Sequence, residues 1–96
     1  MFVEFVFFRA KPNVSDAEVI KNAHKIQELV TQTGSSFKLE LLKTEEGEWV
    51  EVVRWNSKEE AQRVEQAVLS MPEAQKAMSV MDEASIRMVF MHPVQP

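Results

Sequence analysis

Few residues in this chain carry chemistry. Glu4 and Glu51 each stand inside a stretch that otherwise reads as buried strand, Phe2-Val3-Glu4-Phe5-Val6-Phe7-Phe8 and Glu48-Trp49-Val50-Glu51-Val52-Val53-Arg54-Trp55. A carboxyl held among apolar side chains is raw material for a general acid or base, because loss of water raises its pKa toward neutrality. If the first and third strands run parallel with their starts level, Glu4 lies beside Glu51. Two such groups cannot both ionise cheaply, so one takes up a proton or pairs with Arg87 or Lys38. Arg87 is equally suited to holding an anionic or phenolate oxygen. Trp55, Trp49, Phe8 and Met91 offer flat or polarisable surface to an aromatic ring. Plainer uses compete with these: Trp55 as a dimer-core anchor, and Arg87 as counter-charge to the acids.

Other chemistries are poorly supplied. The sequence has no cysteine, which excludes disulfides and thiolate nucleophiles. His24 falls off the Val19/Ala23/Ile26/Val30 stripe, and His92 ends a strand before Pro93. Both read as surface groups, and with no companion ligand no metal site is expected. Gly34 and Gly47 are used to end a helix and turn a hairpin, leaving no phosphate loop. A formal charge of −4 with scattered Lys and Arg argues against nucleic acid and anionic membrane as partners. Met1–Phe8 is too short to span a bilayer and lacks the positive start of a signal peptide, so the cytoplasm is the expected location.

The elements that must position these residues follow from pattern. The first strand is apolar on both faces, which suits a central place in a sheet. Ser15-Asp16-Ala17-Glu18 is a capping box, with Val14 and Val19 placed as a hydrophobic staple. The helix it opens ends at Gly34 as a C′ residue. Phe37, Leu39 and Leu41 alternate with Lys38 and Glu40 as in a half-exposed strand, and Thr44-Glu45-Glu46-Gly47 turns into the Trp-rich strand. Ser57-Lys58-Glu59-Glu60 is a second capping box. Ala61, Val64, Val68 and Met71 form the stripe of its helix, and Pro72 interrupts it before a shorter helix over Glu73–Met81. Ser85–Met91 is the last strand, and an extended tail follows His92-Pro93. Strand, helix, strand, strand, helix, short helix, strand is the order of a ferredoxin-like α+β sandwich with a four-stranded antiparallel sheet, a single domain over residues 1–96. Strands one and three are expected to be central and parallel to each other.

Two helices cover only one sheet face. The purely apolar sets Val3/Phe5/Phe7, Phe37/Leu39/Leu41, Val50/Val52 and Ile86/Met88/Phe90 are the expected helix side. The open side then carries Phe2, Val6, Phe8, Leu42, Trp49, Val53, Trp55, Val89 and Met91, with Glu4, Lys38, Glu40, Glu51 and Arg87 among them. Such a surface is too apolar to leave wet, and a two-fold homodimer is expected to bury it.

Taken together, these residues resemble the dimeric α/β-barrel superfamily, most closely its antibiotic-biosynthesis-monooxygenase-type members. The most specific part is Val52-Val53-Arg54-Trp55-Asn56-Ser57-Lys58-Glu59-Glu60-Ala61, with a strand-end Trp, a small polar cap, acids and Ala. Met71-Pro72-Glu73-Ala74 resembles the break after the second helix. The resemblance implies a cavity, between sheet and helices or inside the barrel, for an aromatic or quinol-like molecule. It also implies oxidation by molecular oxygen without metal or flavin. On this reading Trp55 stacks the substrate, Trp49, Phe8 and Met91 help line its site, Arg87 holds an oxygen substituent, and Glu4 or Glu51 handles protons. The first strand presents Glu4, Val6 and Phe8 where relatives carry an Asn. The second helix holds Gln62 and Gln66, with Gln75 in the short helix beyond it, and the stretch has no His, which disfavours the haem degradation seen in some relatives. The alternative is a non-catalytic small-molecule-binding or structural dimer of the same fold.

Overall fold

The computed structural model describes residues 1–35 and 37–95. Its elements are β1 (Phe2–Phe8), α1 (Asp16–Thr31), β2 (Lys38–Lys43), β3 (Trp49–Trp55), α2 (Lys58–Leu69), α3 (Pro72–Met78), a 3-10 turn (Glu83–Ser85) and β4 (Arg87–Met91). The four strands form one sheet in the order β2-β3-β1-β4, every neighbouring pair antiparallel. This is the ferredoxin-like arrangement, with β1 and β3 central.

Local chemistry explains the element ends. Ser15 and Glu18 form the reciprocal box, the Ser15 Oγ accepting from the Glu18 N–H at 3.2 Å and the Glu18 carboxylate accepting from the Ser15 N–H at 3.3 Å. Ser57 caps α2 by accepting from the Glu60 N–H at 3.1 Å, but Glu60 reaches past it to the Asn56 N–H. Helix α1 stops at Thr31 with Gln32 as its C-cap. Gly34, at φ +85°, then turns the chain one residue beyond the C′ position expected of it. Gly47, at φ +90°, closes the β2–β3 hairpin, where the Thr44 N–H donates to the Glu48 carbonyl at 2.8 Å. Pro72 opens α3 at a position where its missing N–H costs nothing. That helix ends at Met78, short of the expected Met81, and Met81 bridges to Ala10 instead. Ser85 and Ile86 belong to the 3-10 turn and its cap, so β4 begins only at Arg87. Residues 92–95 carry no regular element, and Pro96, the end of the expected tail, lies outside the described residues.

Two expectations about the sheet are overturned. First, β1 and β3 are antiparallel, with Glu4 opposite Val53 and Val6 opposite Glu51. Right-handed crossovers from β1 to β2 and from β3 to β4, combined with the β2–β3 hairpin, oblige the central pair to run in opposite directions. Second, the two faces of β1 and β3 are exchanged. Phe2, Glu4 and Phe8 from β1 and Trp49, Glu51, Val53 and Trp55 from β3 lie under the helices. Leu39, Leu41 and Met88 share that side as expected, as does Phe90, directly opposite Glu4.

The main core joins Leu29 and Val30 of α1, Ala61, Val64 and Val68 of α2, and Ala74 of α3 to Phe37, Val53 and Trp55. A second cluster packs Phe8 on Trp49, ring centroids 6.4 Å apart, beneath Val19. The bulkiest rings fill the space below the helices, where most apolar area is removed from water. The open face is therefore built from Val3, Phe5, Phe7, Leu42, Val50, Val52, Val89 and Met91, with Lys38, Glu40, Arg54 and Arg87 toward its edges.

Candidate functional site

The exchange of faces puts both acids indoors. Glu4 is 3 % exposed and Glu51 8 %, each on a central strand below the helices. With Glu4 opposite Val53, Glu51 is its diagonal neighbour, a spacing of about 7 Å in an antiparallel pair. A third carboxyl, Glu65, descends onto them from α2. The three line a cavity of about 230 Å³ whose walls come from every layer of the fold: Ile26 and Val30 of α1, Val68 and Leu69 of α2, Met78 and Met81 at and beyond the end of α3, and Val6, Leu39, Val53 and Trp55 of the sheet. Ile86 and Met88 complete it on the β4 side, both partly exposed, so the cavity opens toward solvent between α2 and β4.

Trp55 orders the acids. Its indole N–H donates to Glu4 Oε1 at 3.2 Å, and its ring stacks on Phe37 with centroids 5.3 Å apart. Burial, and after it the charge on Glu4, pushes the Glu51 carboxyl up from 4.5 to about 7. Glu65 rises to about 8, through desolvation first, then the Glu4 charge, then its hydrogen bond to Glu4, which only the protonated form can donate. Near neutral pH the cavity thus holds two carboxyls able to give up or take a proton, in surroundings with little competing water. Groups poised this way are what proton transfer to a bound molecule requires.

The structure separates the other residues singled out in the sequence. Arg87 lies on the opposite sheet face, its guanidinium 4.0 Å above the Phe7 ring, and neither Glu4 nor Glu51 meets it. Pairing those acids with Arg87 or Lys38 is ruled out for that reason. Phe8 and Trp49 are under the helices but in the second cluster and do not line the cavity, with Lys43 Nζ 4.9 Å from the Trp49 ring. Met91 is on the open face, 37 % exposed. Trp55, read as either cavity wall or dimer core, is 4 % exposed beneath α2 and has no part in the open face. His24 and His92 are exposed. Among the described residues no group of three or more His, Cys, Asp or Glu is placed to hold a metal ion, and no helix is long and apolar enough to cross a membrane.

Glu65 was not among the sequence candidates, although a signal for it exists. It lies four residues after Ala61 and three before Val68, on the stripe that α2 buries. A lone acid on such a stripe is out of place unless something beneath it uses it.

No family model matches this chain, and no curated protein does. Solved structures do. SnoaB, a cofactor-independent oxygenase from Streptomyces nogalater, aligns over 99 % of this chain and 95 % of its own with a TM-score of 0.70 at 16 % identity. A structure described as an antibiotic biosynthesis monooxygenase covers 99 % and 100 % with a TM-score of 0.60 at 15 % identity. An uncharacterised NIPSNAP domain protein from Burkholderia xenovorans covers 98 % and 95 % with a TM-score of 0.65 at 15 % identity. This chain has the ferredoxin-like α+β fold of the antibiotic biosynthesis monooxygenase domain proteins, over essentially its whole length.

Proposed function

We propose that the protein is a monooxygenase-like enzyme that oxidises a small aromatic, phenol- or quinol-type molecule with dioxygen, in the cavity beside Trp55. One observation carries this reading: carboxyls that titrate near neutrality line an apolar, partly enclosed space next to an aromatic side chain. The shared fold with a cofactor-independent oxygenase supports it. At about 230 Å³ the space is below the roughly 300–1,000 Å³ of sites for drug-sized ligands, which suits one ring with short substituents.

In the proposed reaction a ring methylene, such as the keto tautomer of a phenol presents, loses a proton to Glu51. The electron-rich ring then reduces dioxygen: one oxygen atom becomes the new ring carbonyl and the other leaves as water. The methylene loses the four electrons that dioxygen gains, so the step needs no outside reductant. Glu65 returns a proton to the departing oxygen, and Glu4, fixed by Trp55, sets the proton affinity of both neighbours. Oxygen uptake with a panel of phenols and quinols tests this. The expected result is uptake whose kcat/KM rises through about pH 7 as Glu51 loses its proton and collapses in Glu51→Gln. No uptake with any member of the panel, alongside measurable binding, would leave the non-catalytic binding protein.

We also propose that two copies close their open faces on each other. Val3, Phe5, Phe7, Leu42, Val89 and Met91 are incompletely covered on the face that has no helix. Completing their burial at about 1 kcal/mol each supplies roughly 6 kcal/mol toward association. The expected cytoplasmic location belongs with these proposals.

A further inference from the structure

We propose that the ligand of this cavity is cationic: a protonated amine on a single aromatic or comparably apolar ring, its ammonium group held by Glu51 and Glu4. This rests on the reading of the cavity as a ligand site, and it gives Glu51 the ammonium to hold in place of the ring proton assigned to it above. The charge inventory points to it first. The lining contains three carboxyls and, among the described residues, no Lys, Arg or His. Lys43, Lys25 and Arg54 are paired with other acids: Lys43 with Asp16, Lys25 with Glu28 and Glu73, and Arg54 with Glu40.

A second observation is independent of the acid count. Glu4 already accepts from the Trp55 indole and from Glu65. Among the described residues none donates a hydrogen bond to the side chain of Glu51, which is 8 % exposed and faces the cavity. Its carboxyl oxygens therefore open onto the cavity space, where a ligand ammonium, with three donors and no acceptor, can reach them. The cavity is also polarised. Glu4 and Glu51 lie on the central strands, below the helices, while Leu69, Ile86 and Met88 form an apolar, solvent-reaching rim. An amine entering head first would meet charge at the floor and apolar wall along its body. The methionines among the lining, Met78, Met81 and Met88, adapt to the shape of such a body. Metal ions are poorer candidates, because the three carboxyls do not form a metal-holding group.

Every titratable group facing the ammonium is an acid: Glu4 from β1, Glu51 from β3 and Glu65 from α2. Those from α1, α3 and β4 are apolar. Cation binding therefore favours the charged carboxyls and expels a proton near neutral pH.

Calorimetry with 2-phenylethylamine, 2-phenylethanol and 3-phenylpropanoate, near pH 8 and at low salt, separates the possibilities. The expected result is that the amine binds at least about tenfold tighter than the alcohol, and the acid weakest. Titrations near pH 7 in buffers of different ionisation enthalpy should show proton release with the amine alone. In Glu51→Gln, checked for folding by circular dichroism, the preference for amine over alcohol should fall to about twofold while alcohol binding persists. Glu65→Gln should cut the proton release. Equal binding of amine and alcohol, or tighter binding of the acid, overturns the cation and leaves an aromatic site. Binding by none of the three overturns both readings. Amine-selective binding without oxygen uptake from any aromatic amine or phenol upholds the ligand class and removes the oxygenase.

Discussion

Replacing Glu51 by Gln should make the protein more stable in alkaline solution, by an amount set by how strongly the fold resists ionising that side chain. In the unfolded chain Glu51 loses its proton near 4.5, whereas in the fold it keeps it up to about 7. Below 4.5 both states hold the proton and the carboxyl costs nothing. Between these values the folded state binds more protons, so stability falls as pH rises, and above about 7 the full penalty stands. The interval corresponds to about 3 kcal/mol. Gln fills the same volume without the charge, so the variant should match the natural protein near pH 4 and exceed it by up to about 3 kcal/mol near pH 8. For a chain of this size that gap is worth roughly 12–20 °C in Tm. Glu65, raised to about 8 but only partly buried, bends both curves in the same direction and largely cancels in the difference. Thermal and urea unfolding from about pH 4 to 9, at one fixed protomer concentration, measure it. A difference that does not change with pH, or one in which the natural protein gains on the variant as pH rises, would refute the burial and the proximity of Glu4 together.

Three further outcomes are expected. Trp55→Phe deletes the donor to Glu4 Oε1, and urea unfolding should show a loss of about 1–3 kcal/mol because a buried carboxylate is left short of a partner. Phe5→Asp, on the open face, should halve the molar mass measured by light scattering from about twice 11.1 kDa to 11.1 kDa. A natural protein that is already monomeric at micromolar concentration would end the pairing. Val64→Ala, at a fully buried position on the inner face of α2, should cost about 2 kcal/mol by denaturant unfolding, with the ligand preferences of the cavity retained if the fold relaxes little.

Periodicity and end signals made the order of elements legible. Ser15, Ser57, Pro72 and Gly47 mark boundaries that the backbone respects, because capping and turn chemistry are local. The inward face of β1 and β3 was not legible for a reason built into alternation: when both faces are apolar, the period of two leaves the inside undetermined, and choosing wrongly exchanges every side chain. Freedom from charge was a poor guide, since Val3/Phe5/Phe7 and Val50/Val52 contain no polar residue and yet lie opposite the helices. On β3 ring size was the better guide, since Trp49 and Trp55 lie on the helix side, whereas β1 carries two Phe on each face. Glu4 and Glu51 were recognisable as acids in buried strands, but their company was not. The partner that joins them, Glu65, comes from an element far away in sequence, and the expected cation, Arg87, points the other way.

A carbon-13 NMR titration of the glutamate carboxyls, with and without 2-phenylethylamine, tests the site most directly. The account predicts that Glu51 titrates near 7 and Glu65 near 8, and that the amine shifts both signals and lowers both midpoints while the exposed glutamates stay put. Midpoints for both near 4.5, unmoved by the amine, would contradict it.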